Sequence, residues 1–246
     1  MHPSRTRTPA YDHALALREL AAADPKLGNL IARVGPFTMK LASTQSPFEA
    51  LTEAIIYQQL HGKAAATIHR RLLESFELAP VGSRPAQHPT PQHFLDCPNE
   101  QLRAAGLSKN KALALRDLAA KTIDGTVPTL ARIRRMSDDA IVEHLTQVRG
   151  IGVWTVEMLL IFRLGRPNIL PVSDYGIRKG FALTFGKLKP PKEGGPVKVT
   201  PLDLPKPDII HRRAKKWQPW SSIASWYLWR ACDLANTKPP DAKKDL

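Results

Sequence analysis

Gly150-Ile151-Gly152, Trp154 just beyond it, and Asp174 within Pro171-Val172-Ser173-Asp174-Tyr175 have the types and spacing that bear most directly on chemistry. A tight glycine turn between two helical patterns exposes peptide N–H groups. With no Cβ in the way, a phosphate comes close to them. The helix that follows aims its positive dipole end at the same anion. The segment after that helix is long enough to fold back and bring one carboxylate, Asp174, to the same face. An isolated G-x-G also serves as a plain helix–helix turn, and an aspartate after serine as a plain N-cap. Here the basic chain, the tryptophan after the turn and the downstream aspartate favour the phosphate reading.

Composition sets the chemical context. The chain has 246 residues, and Lys+Arg outnumber Asp+Glu by 36 to 22, a formal net charge of +14 that favours a polyanionic partner. The apolar share of 43% is ample for a buried core. The two cysteines, Cys97 and Cys232, exclude a disulfide framework and a four-cysteine zinc or iron–sulfur site, and they suit a reducing compartment. No histidine arrangement has metal-ligand spacing, so no metal is expected. No apolar run approaches membrane-spanning length, and Met1-His2-Pro3-Ser4-Arg5 lacks the apolar centre of a secretory signal.

The elements that must position these residues read as helices throughout. Ser46-Pro47-Phe48-Glu49 carries a cap, a proline at the first helical position and a glutamate at N3. Phe48, Leu51, Ile55 and Ile56 then share one helical stripe, and Ala65, Ile68, Leu72 and Phe76 another. Further helices are predicted within residues 10–35, over 108–123, after Ser137, from about Gly152 to Leu164, from Asp174 to before Gly186, and over 219–235. Residues 79–98 and 187–207 read as loops from their prolines and glycines. Nothing alternates at strand period, so the fold class is all-α.

Four ordered stretches carry a family resemblance. The run from Leu145 to Gly180 resembles the helix-hairpin-helix, Gly/Pro-rich loop and aspartate signature of base-excision DNA glycosylases, in the 3-methyladenine DNA glycosylase II branch. Phe48 to Gln59 resembles that family's helix and minor-groove turn. Gly106-Leu107-Ser108 with Lys111-Ala112 and Leu115-Arg116 resembles its next motif, and Pro219 to Arg230 its C-terminal helix. The resemblance implies a two-lobed helical fold with the active-site cleft between the lobes. The single bilobal catalytic domain would span 10–236, with a central lobe of about 46–165 and a second of about 10–45 plus 166–236. Residues 1–9 would be a flexible basic tail and 237–246 a tail. No counterpart of the N-terminal β domain of some members is expected, since residues 10–35 read as helical.

The same resemblance implies site roles. Asp174 matches the catalytic aspartate. Cleaving an N-glycosidic bond builds positive charge on the sugar, which one carboxylate stabilises while orienting water. Trp154, Tyr175 and Trp229 match base-pocket positions, with Met158 where some members have an aromatic; Tyr57, Phe48 and Trp226 complete the candidates. Electron-rich rings attract cationic alkylated purines, and plain core packing is the alternative for each ring. Gln58-Gln59-Leu60-His61 lies at the wedge turn, with Gln59 filling the gap left by the extruded nucleotide and His61 and Lys63 on the adjacent backbone. Arg149, Gly150, Gly152 and Thr155 are the hairpin's expected DNA contacts. Bifunctional relatives carry a lysine nucleophile where Trp154 stands, so water is the expected nucleophile and an abasic site the product.

No cofactor is expected, with a monovalent cation at the hairpin carbonyls left open. The expected partner is double-stranded DNA containing alkylated bases, bound by a monomer without a membrane, in the cytosol or nucleoid of a bacterium or the nucleus of a eukaryote. A glycosylase for an oxidised or mismatched base, and a non-catalytic helix-hairpin-helix DNA-binding protein, are the alternatives.

Overall fold

A computed structural model describes residues 7–44, 46–81, 87–186, 188 and 199–236. The chain is helical, with no β-strand among the described residues. In chain order the α-helices are α1 (His13–Ala23), α2 (Pro25–Val34), α3 (Pro47–Tyr57), α4 (Gly62–Ser75), α5 (Pro91–Asp96), α6 (Asn99–Ala104), α7 (Lys109–Ile123), α8 (Leu130–Ile133), α9 (Asp138–Leu145), α10 (Val153–Leu159), α11 (Tyr175–Phe185), α12 (Pro207–Ala214) and α13 (Ser221–Asn236). They divide into two compact units. One comprises Met1–Arg7 and Ala42–Leu164, and the other Thr8–Leu41 and Gly165–Leu246.

In the first unit α3 packs against α4 and α7, and α7 in turn against α5 and α6. Ser46 Oγ accepts from Glu49 N at 3.1 Å and so starts α3, which buries Phe48, Leu51, Ile55 and Ile56. Ser108 caps α7 in the same way, and Ser137 caps α9. The hairpin joins α9 to α10. Gly150 takes φ +78°, which a side chain rarely adopts, and an added Cβ there would lie 3.6 Å from that of Ala114.

In the second unit α11 packs along α13, with α2 against both. The crossing of α11 and α13 is set by Gly180, where an added Cβ would lie 2.0 Å from the carbonyl oxygen of Leu228. Backbones approach this closely only without a side chain between them. Below them Asp24 is fully buried and gathers three donors. Arg213 reaches it through Nε at 2.8 Å and Nη2 at 2.7 Å, Trp217 through Nε1 at 3.0 Å, and Lys216 through Nζ at 3.2 Å. Burial alone would raise the Asp24 pKa, but the bonds from Arg213, Trp217 and Lys216 together outweigh it and hold the carboxyl below its usual range. The Arg213 guanidinium also lies 3.9 Å over the Phe185 ring.

Several expected elements are corrected. Residues 79–98 are not all loop. Pro91 starts α5, the Thr90 N–H bonds His93 Nδ1 at 3.0 Å, and Phe94 anchors the helix against Phe48 and Phe76. The helix expected to Leu164 is α only to Leu159 and continues as a π-helical turn, Leu160–Leu164. The 187–207 loop gives way to a 3-10 turn at Pro201–Asp203, and Pro207 opens α12, for which the sequence reading had no helix. Lys187, Lys189, Lys192 and Lys198 lie outside the described residues. No helix among the described residues is long and apolar enough to cross a membrane.

Candidate active site

The second unit holds Asp174. Its N–H donates to Pro171 O at 3.0 Å, which folds the short Pro171–Ser173 segment into the start of α11. Asp174 is the N-cap: Oδ1 accepts from Ile177 N at 2.8 Å. The same oxygen accepts from the indole Nε1 of Trp229, on α13, at 2.8 Å. An N-cap aspartate needs no such second donor. The pair leaves the carboxylate half-buried, its position fixed from two helices, and at a helix N-terminus, where the dipole is complementary to negative charge. Gly176 makes room for this. An added Cβ there would sit 2.7 Å from Trp229 Cδ1 and 3.1 Å from Asp174 Oδ1. Tyr175 follows directly and is 57% exposed. Trp229, expected as a pocket ring, is here the residue that orients the carboxylate. Trp226 is corrected to a core residue: it packs 5.0 Å from the Phe37 ring and 4.9 Å from that of Tyr227.

The first unit holds a cavity of about 670 Å³, in the range that suits a small organic ligand. Tyr57, Gln58, Gln59, Gly150, Trp154, Thr155 and Met158 are among its lining residues, together with Leu51, Leu159, Phe162, Glu53 and Arg163. Trp154 is 45% exposed, large for an indole. Phe48 is corrected: it lies outside this wall, buried against Phe94. Thr155 is 8% exposed and belongs to the wall rather than to an open hairpin rim.

The turn after α3 is tied down at both ends. Gln58 Nε2 donates to Gly150 O at 3.0 Å, joining the turn to the hairpin. Lys111 Nζ donates to Ile56 O at 2.5 Å and Gln58 O at 2.9 Å, capping the carbonyl end of α3. Burial lowers the Lys111 pKa. Gln59 is then forced to φ +56°, an uncommon conformation for a residue with a side chain, and it and Leu60 stand exposed. His61 is the N-cap of α4, its Nδ1 facing Lys63 N at 3.4 Å, and Lys63 is exposed. At the hairpin, Arg149 is exposed while its N–H donates to Asp117 Oδ2 at 2.7 Å; Lys121 holds that same carboxylate. An added Cβ at Gly152 would meet nothing within 4 Å, so the α10 N-terminus is open to an incoming group.

The residues to which sequence reading gave no site role are Gly176, Lys111, Asp117, Glu53 and Arg163. The spacing of Gly176 and Gly180 inside a helix was a signal for close backbone approach. Lys111 stood within the Gly106–Arg116 motif but without a role, and the others had no signal, because contacts such as Arg149 to Asp117 and Arg163 to Glu53 span long stretches of chain. Among the described residues, no group of three or more acidic, histidine or cysteine side chains is arranged to hold a metal ion.

A glycine hairpin opening a helix, a ring-lined cavity and an aspartate N-cap in an all-α chain define a class. Residues 52–193 match the family of HhH-GPD superfamily base excision DNA repair proteins, and the chain belongs to it. DNA-3-methyladenine glycosylase 1 of Schizosaccharomyces pombe is 34% identical over 227 residues, covering 92% of this chain and 90% of that protein. The structure of the 3-methyladenine DNA glycosylase Mag1 from the same yeast, in complex with abasic DNA, superposes with a TM-score of 0.71 at 33% identity, covering 92% of this chain and 100% of that one. A DNA-3-methyladenine glycosidase from Bacillus halodurans gives 0.72 at 26% identity, over 93% of this chain and 92% of that one.

Proposed function

We propose that this chain is a monofunctional DNA glycosylase that removes alkylated purines of the 3-methyladenine and 7-methylguanine type from double-stranded DNA. The single observation that carries the reading is the Asp174 carboxylate held at a helix start by the Trp229 indole, in a chain aligned over most of its length with a named 3-methyladenine glycosylase. Asp174 stabilises the oxocarbenium-like sugar and orients the attacking water as the base leaves. Trp154, Tyr57 and Met158 line the cavity that takes the extruded base, and Trp229 and Tyr175 remain base-stacking candidates from the family motif. Alkylation has already weakened the glycosidic bond, so stacking of a cationic base on these rings does much of the work.

Gln59 fills the gap in the duplex, Leu60, His61 and Lys63 flank it, and the Arg149–Gly152 hairpin takes a phosphate. A bilobal catalytic domain over residues 10–236 belongs to the same proposal, as does a monomer acting in the nucleoid or nucleus. Chemistry proceeds without a cofactor; a monovalent cation at the hairpin carbonyls would be structural. The test is excision from duplexes carrying 3-methyladenine, 7-methylguanine, 1,N6-ethenoadenine or 8-oxoguanine. Release of the methylated bases without strand nicking and without a borohydride-trapped adduct is expected. Excision of 8-oxoguanine alone, or a trapped adduct, overturns the reading.

A further inference from the structure

The wall of the large cavity contains one ion pair amid apolar and aromatic groups. Arg163 Nη1 donates to Ser43 O at 2.7 Å and Nη2 is bonded to Glu53 Oε2. The Arg163 side chain is largely sheltered, at 20% exposure, and that of Glu53 is part-buried, at 39%. Taking a guanidinium largely out of water in a wall that also holds Leu51 and Phe162 has a cost, and a pair of apolar residues would fill the space as well. Such a pair is explained when an occupant of the cavity uses it. Among the described residues, Oε1 of Glu53 accepts no hydrogen bond, so an acceptor remains. The carboxylate also borders a second chamber, with Thr52, His69 and His88, but at about 20 Å³ that space holds no more than a water. The large cavity is therefore where a base would meet it. The charge of Glu53 already reaches Tyr57 on this wall, whose pKa is raised by burial first and by Glu53 second.

Resting on the reading of this cavity as the base pocket, we propose that Glu53, held by Arg163, is a specificity-determining residue that selects bases offering N–H donors. A 7-methylguanine presents N1–H and N2–H groups, and 3-methyladenine an exocyclic amino group, to an acceptor that neither Trp154 nor Met158 supplies. 1,N6-Ethenoadenine has its amino group locked in a ring and brings acceptors alone, so Glu53 meets lone pairs with lone pairs. Polar groups left unpaired in this way discriminate more strongly than a change in apolar bulk.

The experiment is single-turnover excision of 7-methylguanine, 3-methyladenine and 1,N6-ethenoadenine by the full chain and two variants. In Glu53→Gln, Arg163 claims the amide oxygen and turns the NH₂ donor outward. In the double variant E53M/R163M, the pair is replaced by apolar residues of similar volume, a change that is commonly neutral for folding. In both, the ratio of methylpurine to ethenoadenine rates falls at least about fivefold. A purely structural defect lowers all three rates together and leaves the ratio in place. A smaller change in ratio in the folded variants overturns the proposal, whatever the absolute rates. Wild-type protein that excises none of these bases removes the base-pocket reading and this proposal with it. Excision with an unmoved ratio removes this proposal alone.

Discussion

Oδ1 of Asp174 accepts from both the α11 backbone and the Trp229 indole, and removing one donor separates holding the carboxylate from using it. Trp229→Phe keeps a ring in place and deletes the N–H. A hydrogen bond to a charged group contributes about 1.5–3 kcal/mol, so single-turnover excision is expected to drop about ten- to hundredfold with DNA affinity unchanged. An unchanged excision rate would show that the indole has no part in orienting the carboxylate. The sequence nominates Asp174 and Trp229 separately, by motif. Their contact spans 55 residues and no local pattern encodes it. The same blindness hid the contacts of Lys111 and Asp117, which reach carbonyls and an N–H more than 30 residues away. The Phe48 and Trp226 expectations failed for a different reason, since an aromatic on a helical stripe reads the same whether its ring faces a core or a cavity.

At the level of the element, the caps did most to make helices legible. Ser46, Ser108, Ser137 and Asp174 each bond the N–H three residues on, and each stood in the sequence as a capping residue type before a helical pattern. Short α5 and α12 were missed because proline and glycine density masked a helix that proline itself starts. The two glycine positions in the hairpin and on α11 make opposite predictions. Gly152→Ala meets open space, so the fold and its melting temperature hold, while the new methyl stands in the path of a phosphate. DNA affinity falls about tenfold, the loss of one charge-assisted bond, read by fluorescence anisotropy. Full affinity in this variant would remove the hairpin from the DNA contact. Gly180→Ala would drive a methyl into Leu228 O, and loss of the cooperative thermal transition is expected.

For the molecule as a whole, the sequence reading reached the all-α class and the family, because composition, helical period and motif order are all properties of the linear chain. It did not reach the hub at Asp24, whose partners Arg213 and Trp217 lie 189 and 193 residues away. Asp24 carries a prediction with a definite sign. Its folded pKa is depressed, so its stabilisation is complete above the ordinary aspartate range near about pH 4 and is lost as pH falls through the lower folded value. Asp24→Asn should cost about 3 kcal/mol or more near neutrality, as expected for breaking a buried pair from one side, and should flatten the acid limb of a stability–pH profile measured by urea unfolding. An acid limb as steep as the wild type's would place that dependence elsewhere. The whole account turns on Asp174, and Asp174→Asn tests it with the fold preserved, because an asparagine oxygen still caps α11 and still accepts from Trp229. Excision of 7-methylguanine from a duplex by this variant should fall at least about hundredfold while DNA binding is kept or tightened. Excision at the wild-type rate would contradict the account.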